Sequence, residues 1–343
     1  VSKMNKSSSI SDVAQLAKVG KTSVSRYLNG EHHLLSEKLK ERIKNAIEVL
    51  DYTPNPLARS LKNKRSKLIG LLLADINNPY SVRIINSVEK YCWENDFVPI
   101  VFNTDNSFEK ESKALDILNR YQVEGVVINT VNSSKPFGEY RFPVVLIDRK
   151  IPGKLFDMVG LDNYHAVNTA VQHLVNEGFD DILFISEPVM GVHTRLERQR
   201  AFYNSSRCFH DIQYHAQEIG CLDIDGIEKI LLTFCDKRIN AKRKAIISAN
   251  GALTISLIKV INYLNIRIGV DVGFLGVDDV EWSEIIGGGI TIIKQPTDLI
   301  GSAAMELLHS RIDTPDIPSR DAIFHGDLII RQSTINLSRF QSK

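Results

Sequence analysis

Residues Ile10 to Gly30 read ISDVAQLAKVGKTSVSRYLNG, two short helical patterns joined by the tight turn Lys18-Val19-Gly20. On the first, Val13, Leu16 and Ala17 recur at three- and four-residue spacing and form the expected inner stripe of a helix that Ser9 or Ser11 can cap. Gly20 sits where the chain must turn sharply, with no side chain to block the approach of the two helices. On the second pattern Val24 and Leu28 face inward. Lys21, Thr22, Ser25, Arg26 and Asn29 are left on the opposite face, all hydrogen-bond donors with no carboxylate among them. A merely solvated surface helix is the plain alternative, but such a face ordinarily mixes both signs of charge. Two helices with this turn and this face are the layout of a helix-turn-helix whose second helix enters the DNA major groove. A third helix is expected after Ser36, with Leu39, Ile43, Ala46, Ile47 and Leu50 closing a miniature core, in a domain too small to be more than marginally stable by itself.

Charge divides the chain at the same place. The 343 residues carry a formal net charge of +1, yet Val1–Lys67 hold 14 Lys and Arg against 6 Asp and Glu, and the remainder 28 against 35. A basic head on an acidic body fits a nucleic-acid-binding module fused to something that does not itself adhere to DNA. Between them lies YTPNPLARSLKNKRSK, Tyr52 to Lys67. Pro54 and Pro56 end the third helix and can open another. The Leu57–Lys62 stretch is under two turns long, too short to be helical alone in water. It is expected to fold only against DNA and a second copy of itself. Leu61 beside Lys62 suits a wedge inserted from the minor groove; a plain basic linker is the alternative.

From Leu68 onward apolar strand-like runs recur: Leu68–Leu73, Val98–Phe102, Val126–Ile128, Val144–Ile147, Ile182–Ile185, Ala245–Ile247, Val272–Leu275 and Ile290–Ile293. Helical stretches separate most of them, among them Ser81–Asn95, Glu109–Tyr121, His165–Glu177, Gly226–Phe234 and Leu253–Leu264. This alternation predicts parallel sheets covered by helices on both faces. About 275 residues exceed what one such sheet needs, so two lobes are expected. In such folds ligands bind beyond the carboxyl ends of the strands, which makes the cleft between the lobes the expected site.

Across essentially its whole length the chain resembles the LacI/GalR family of bacterial transcription regulators. The blocks that carry the resemblance are DVAQLAKVGKTSVSRYLNG, YTPNPLARSLK, LIGLLLADINNPY, VEGVVIN, PVVLIDR, VGLDN, VGFLGVDD and ITIIKQP, in one order. KTSVSRYLNG and the segment after it are further similar to regulators of 2-keto-3-deoxygluconate and hexuronate use in Gram-positive bacteria. The resemblance implies an all-α helix-turn-helix head (1–51), a hinge helix or linker (52–67) and a two-lobed α/β body with parallel sheets, like a periplasmic sugar-binding protein (68–343). Its N-lobe is expected at about 68–163 and 295–325, its C-lobe at about 164–294 plus the C-terminal end. It also implies a homodimer on a pseudo-palindromic double-stranded operator, repressing carbohydrate-catabolism genes until a small sugar or sugar acid binds. Lys21, Thr22 and Arg26 match base-reading positions. Ser9, Ser23, Ser25 and Asn29 match phosphate-contacting positions, and Leu61 with Lys62 the minor-groove wedge. In the body, Tyr80, Thr194, Arg198 and Asp278 match effector contacts, and Asp148, Asp162 and Asn250 secondary cleft positions. Such a set suits a polyhydroxylated ligand: carboxylates accept from hydroxyls, the guanidinium donates and the phenol ring offers an apolar face. His193 and Arg195 beside them add positive charge for an acidic sugar.

Plainer roles compete for some of these residues. Asp278 can instead cap a helix or turn, and Arg195, Arg198 and Arg200 can form one solvated helical face. Two positions depart from the family pattern: Gly20, where many members carry a capping Ser or Thr, and Gly251, where Asp often follows the Asn. Cys92, Cys208, Cys221 and Cys235 form no CxxC pair and read as reduced thiols on apolar or helical stretches. His32-His33 reads as a loop pair and Gly287-Gly288-Gly289 as a loop, without the GxGxxG register. No catalytic motif, cofactor or metal is called for. The absence of a secretory segment or long apolar span points to a cytoplasmic, nucleoid-associated protein with no membrane partner. The short polar tail after Arg331 lacks heptads, which favours a dimer over a coiled-coil tetramer. Two rivals stand beside this reading: a global regulator gated by a corepressor or a phosphoprotein, and a sugar-processing enzyme with an appended DNA module.

Overall fold

The computed structural model describes residues 8–53, 65–131, 137–151, 153, 155–205, 207–209, 211–236, 242–278 and 281–335. They fall into two compact units divided between Lys67 and Leu68. Leu61, Lys62 and the rest of the hinge segment from Pro54 to Lys64 lie outside the described residues.

The first unit is three helices, α1 (Ile10–Leu16), α2 (Lys21–Leu28) and α3 (Glu37–Val49). Ser9 caps α1: its hydroxyl accepts from the Asp12 N–H while the Asp12 carboxylate accepts from Ser9 N at 2.7 Å, so two orphan amides of the first turn are satisfied reciprocally. The core consists of Val13, Ala14, Ala17, Val24, Leu35, Ile43 and Ala46, with Ile10, Leu28 and Tyr27 packed around it. Leu16, expected inside, is 48 % exposed. At 100° per residue Ile10, Val13, Ala14 and Ala17 share a face and Leu16 lies off it; small alanines let the helices approach closely. Arg42 of α3 donates to the carbonyls of Ala17 and Lys18, closing the end of α1. The left-handed residue of the turn is Lys18 (φ 50°), whereas Gly20 has φ −72° and a side chain there would meet nothing within 4 Å. The turn therefore does not require glycine.

The second unit contains two six-stranded sheets. The N-lobe sheet has the order β11-β5-β4-β3-β1-β2, with β1 Leu68–Leu73, β2 Val98–Asn103, β3 Gly125–Ile128, β4 Val144–Ile147, β5 Asp157–Leu161 and β11 Asp321–Phe324, every pair parallel. The C-lobe sheet has the order β12-β10-β9-β8-β6-β7, with β6 Asp181–Ser186, β7 Gln213–Glu218, β8 Lys244–Ser248, β9 Gly273–Val277, β10 Thr291–Lys294 and β12 Asp327–Ile329; only the β10–β12 pair is antiparallel. Helices α4 (Pro79–Glu94), α5 (Phe108–Arg120) and α10 (Thr297–Asp313) cover the first sheet. Helices α6 (Asn163–Asn176), α7 (His193–Ser205), α8 (Ile224–Cys235) and α9 (Gly251–Tyr263) cover the second.

Both faces of each sheet are buried over the central strands, which is why those strands read as unbroken apolar runs. In β1, Ile69, Leu71 and Leu73 join Ile84 and Val88 of α4 and Met305 and Leu308 of α10, while Leu72 faces Leu115 and Leu118 of α5. In β6, Ile182 and Phe184 meet Val171 of α6 and Phe202 of α7, while Leu183 and Ile185 meet Leu231 of α8 and Leu257 of α9. Gly125 is needed because a Cβ there would lie 2.6 Å from the Leu308 side chain. The chain passes between lobes three times: at Asp162, at Gln295-Pro296, and at His325-Gly326. Each lobe is thus finished by a segment from the C-terminal region. A buried ion pair fastens one of them: Arg311 of α10 holds both oxygens of the fully buried Asp157 at 2.8 and 2.9 Å.

Candidate functional site

In the first unit α2 presents Lys21, Thr22, Arg26 and Asn29 to solvent, with Ser23 and Ser25 half-buried and Val24 in the core. Arg26 has only a marginal contact, 4.0 Å, to the exposed Glu31. Its long reach is therefore available outward. Ser9 is engaged in its capping box, although its half-turn position leaves it beside the N-terminus of α1.

In the second unit the strand order reverses between β1 and β3 and between β6 and β8. Adjacent crossovers then leave in opposite directions and open a crevice at the carboxyl ends. A cleft of about 690 Å³ lies there. Its walls come from residues just past strand ends: Asp75 after β1, Asn129 after β3, Asp148 and Arg149 after β4, Glu187 after β6, Asn250 after β8, Asp278 after β9 and Gln295 after β10. Tyr80 from the first turn of α4, and Thr194, Arg195 and Arg198 from the start of α7, complete it.

Six of the seven expected cleft residues are brought together: Tyr80, Asp148, Thr194, Arg198, Asn250 and Asp278. Asp162 is placed elsewhere. It caps α6, accepting from His165 N at 2.8 Å, and borders a separate cavity of about 220 Å³. His193 faces that smaller cavity too, 3.0 Å from Glu197, rather than adding charge to the cleft. Cys221, expected on an apolar or helical stretch, sits on the loop after β7 and lines the cleft.

The fixed geometry explains several roles. Asn250 caps α9 through Leu253 N at 2.9 Å and donates to Glu187 at 2.8 Å. Glu187 also receives Arg195 at 2.7 Å. The Asp278 carboxylate accepts from Gly251 N at 2.8 Å and from the Gln295 amide, so it serves as a cap to α9 as well as lining the cleft. Gly251 is part of that arrangement: a Cβ there would stand 3.2 Å from Asp278 Oδ2. Arg198 is buried, unlike the exposed Arg200, so the two do not share one solvated face. It donates Nε to Asn163 Oδ1 (2.7 Å) and Nη1 to the Ala249 carbonyl (2.6 Å).

Three buried polar atoms in the cleft make no hydrogen bond of ordinary geometry among the described residues: Gln295 Oε1, and Tyr80 Oη and Asp148 Oδ1, whose side chains interact only weakly with each other. Buried polar groups are ordinarily satisfied, and leaving one unpaired costs about 1–3 kcal/mol. Burial raises the Asp148 carboxyl to about 6, against the opposing pull of the Tyr80 hydroxyl, Arg198 and Arg149. Burial, with the Asp148 charge second, likewise holds the Tyr80 phenol well above its usual range. Arg149, Asn129, Glu187 and Gln295 were not singled out by their residue type, although each stands one or two positions beyond an apolar run, where a doubly wound sheet delivers its ligand contacts. Among the described residues no group of three or more His, Cys, Asp or Glu could hold a metal ion, and no helix is long and apolar enough to cross a membrane.

Comparison with known proteins places both units. Residues 9–55 match the family described as bacterial regulatory proteins, lacI family, and residues 171–334 match the periplasmic binding protein-like domain. The HTH-type transcriptional regulator PtxS of Pseudomonas aeruginosa is 39 % identical over 330 residues, covering 95 % of each chain. The HTH-type transcriptional regulator KdgR of Bacillus subtilis (strain 168) is 36 % identical over 330 residues, covering 94 % of this chain and 97 % of its own. In fold, the chain is similar to the lac repressor dimer bound to operator and the anti-inducer ONPF, with a TM-score of 0.81 at 20 % identity, covering 96 % of this chain and 100 % of the other. With relatives this similar along nearly their whole length, the chain belongs to the lacI family of bacterial regulatory proteins, and it is a DNA-binding transcriptional regulator.

Proposed function

We propose that the protein is a ligand-gated repressor of carbohydrate-catabolism genes. A homodimer reads a pseudo-palindromic operator, with Lys21, Thr22 and Arg26 of each α2 touching base edges and Ser9, Ser23, Ser25 and Asn29 the phosphates. Leu61 and Lys62 wedge the central step from the minor groove. The effector is a small sugar or sugar acid in the cleft of the second unit. One observation carries this reading: three buried polar atoms, Tyr80 Oη, Asp148 Oδ1 and Gln295 Oε1, make no hydrogen bond of ordinary geometry and share a cleft with the buried Arg198. Hydroxyl groups of a polyol supply what all of them lack, donors to the carboxylate and the amide oxygen and acceptors for the phenol and guanidinium. A relative named ribose operon repressor, 28 % identical over 330 residues, supports a carbohydrate. Occupancy reorients the two lobes about the three crossovers and changes the spacing of the hinges over DNA. Coupling of this kind is typically 5- to 150-fold, about 1–3 kcal/mol, and DNA must weaken effector binding by the same factor.

A thermal-shift screen of sugars and sugar acids, followed by anisotropy titration of a labelled operator, tests the proposal. An effector at about 100 times its dissociation constant adds about 2.7 kcal/mol of stability and lowers operator affinity. A compound that binds the cleft and leaves operator affinity unchanged would refute the gating.

A further inference from the structure

Arg198 is held from behind by neutral oxygens. Its Nε donates to Asn163 Oδ1 at 2.7 Å and its Nη1 to the Ala249 carbonyl at 2.6 Å. Asp148 acts on its charge through space, without a hydrogen bond between them among the described residues. Asn163, 3 % exposed, is the first residue of α6, immediately past the passage between lobes at Asp162. The backbone is fastened at that point, where Asp162 N donates to the Phe324 carbonyl of β11 at 2.8 Å. A guanidinium that lines the cleft is therefore tied to the place where the chain changes lobe.

The far side of Asn163 is fixed as well. Its Nδ2 donates to Glu197 Oε2 at 2.9 Å, and Glu197 Oε1 lies 3.0 Å from His193 Nε2. Burial works against the ionised Glu197, but the hydrogen bonds from His193 and Asn163 outweigh it and hold the carboxyl below its usual range. An ionised Glu197 only accepts and a guanidinium only donates. The amide satisfies both at once, oxygen toward Arg198 and nitrogen toward Glu197, and the two charges together fix which way it points. A carboxylate in its place would oppose Glu197 and neutralise Arg198. Asn163, Glu197 and His193 border the smaller cavity, so one chain of hydrogen bonds runs from the cleft, past the passage between lobes, to that cavity.

We infer that Asn163, oriented by Glu197, is a positioning residue for Arg198: it holds the guanidinium at the effector cleft without neutralising it and joins it to the passage between lobes. This rests on the cleft being the effector site. Neither Asn163 nor Glu197 lines that cleft, so their influence on binding passes through Arg198.

Two measurements on the full-length protein test it. The first needs no ligand: in protein isotope-labelled at arginine Nε, the Arg198 Nε–H resonance, assigned with Arg198→Lys, should exchange slowly with water. Asn163→Ala and Glu197→Ala should each speed that exchange, while Glu197→Gln, whose amide oxygen still accepts from Asn163, should leave it slow. The second is calorimetric titration with gluconate, galacturonate, glucose and ribose. Whichever of these binds wild type should bind Asn163→Ala about tenfold more weakly, the scale of one hydrogen bond to a charged group, and Glu197→Gln almost as well as wild type. Asn163→Asp separates position from charge: it should keep the Nε–H protected and still lose about tenfold in affinity. Ligand-free melting temperatures check that each variant folds, and the wild-type resonance, Glu197→Gln and Asn163→Asp decide the matter if the alanine variants do not. A wild-type Arg198 Nε–H that exchanges as fast as that of an exposed arginine, undiminished affinity in folded Asn163→Ala or Asn163→Asp, or equal losses in Glu197→Gln and Glu197→Ala overturns the inference and leaves the cleft reading intact. If none of these sugars binds, the carbohydrate reading of the cleft falls, and the exchange rates still decide whether Asn163 holds Arg198.

Discussion

Asp148→Asn should make the ligand-free protein more stable, and the gain should depend on pH. Burial raises the Asp148 carboxyl to about 6 from an ordinary 3.8, so the folded protein holds its ionised form at a disadvantage. At 1.36 kcal/mol for each tenfold change in proton affinity, that difference amounts to about 3 kcal/mol. A raised carboxyl favours folding fully below its unfolded value, and that contribution is lost as pH rises through its folded value. Wild type therefore carries the whole penalty above about pH 6 and none below about pH 4. Asparagine has no charge to bury and keeps an oxygen for Asn129 Nδ2, which lies 3.4 Å from Asp148 Oδ2. The variant should melt about 6 °C above wild type near pH 7.5, taking about 2 °C per kcal/mol for a unit of this size. The two melting curves should converge near pH 4. Its response to effector should weaken, because the ionised acceptor is gone. Differential scanning calorimetry across that pH range provides the measurement. An Asp148→Asn protein no more stable than wild type at neutral pH, or one whose gain is the same at every pH, would refute the argument that this carboxylate is kept ionised in the cleft at the expense of stability.

Ile43→Ala, at a fully buried position in the three-helix core, should remove about 2–5 kcal/mol, enough to unfold the first unit. Operator affinity by anisotropy should collapse while the effector-induced thermal shift of the second unit stays normal; retained operator affinity would contradict the assigned core. Arg311→Met removes the two closest guanidinium bonds of the buried Asp157 carboxylate, leaving it Arg320 alone, and should destabilise the second unit by about 3 kcal/mol, read by chemical denaturation. In wild type, burial works against the ionised Asp157, but the hydrogen bonds from Arg311 and Arg320 outweigh it and hold the carboxyl below its usual range. That stabilisation is present above the unfolded value and lost as pH falls through the folded one, a slope the variant should show much reduced. Gly20→Ser supplies a missing cap to α2 in open space and should raise the stability of the first unit by a few tenths of a kcal/mol; a lower melting temperature would show that the turn does need glycine.

The parts of this fold legible in the sequence are those in which one physical cause dominates. Central strands such as β1, β6 and β8 are covered on both faces, so their apolar runs coincide with their limits to within a residue or two. β7 reads QYHAQE and pairs on one side only, with β6. An edge strand of that kind has no continuous apolar run to give it away. β11 and β12, at four and three residues, are edges as well. Leu16 shows the limit of spacing alone: two overlapping stripes satisfied it, and the close approach of α1 to its neighbours favoured the alanine side. In the cleft, Tyr80 and Arg198 were legible through resemblance to a family pattern, whereas Gln295 and Arg149 become visible only once the strand ends are known. Asp162 looks like its acidic neighbours in sequence, but it stands at a lobe crossover, where a helix N-terminus takes its carboxylate.

The three passages between lobes have a consequence for how the protein is made. The three-helix unit is complete within the first fifty or so residues, so it can fold on the ribosome long before the rest. The N-lobe, by contrast, must wait for α10 and β11, and the C-lobe for β12 and for Ser333 and Thr334, which bond to Phe274, Thr291 and His173. Neither half of the sensor can close until the chain has been made through β11, and the C-lobe not until Thr334. A chain that terminates shortly before Asp321 would carry an intact DNA-reading head on two unsealed sheets, with the exposed edges of β5 and β10 open to aggregation. Late truncations should therefore clear the regulator from the cell rather than leave one that binds DNA and ignores its effector.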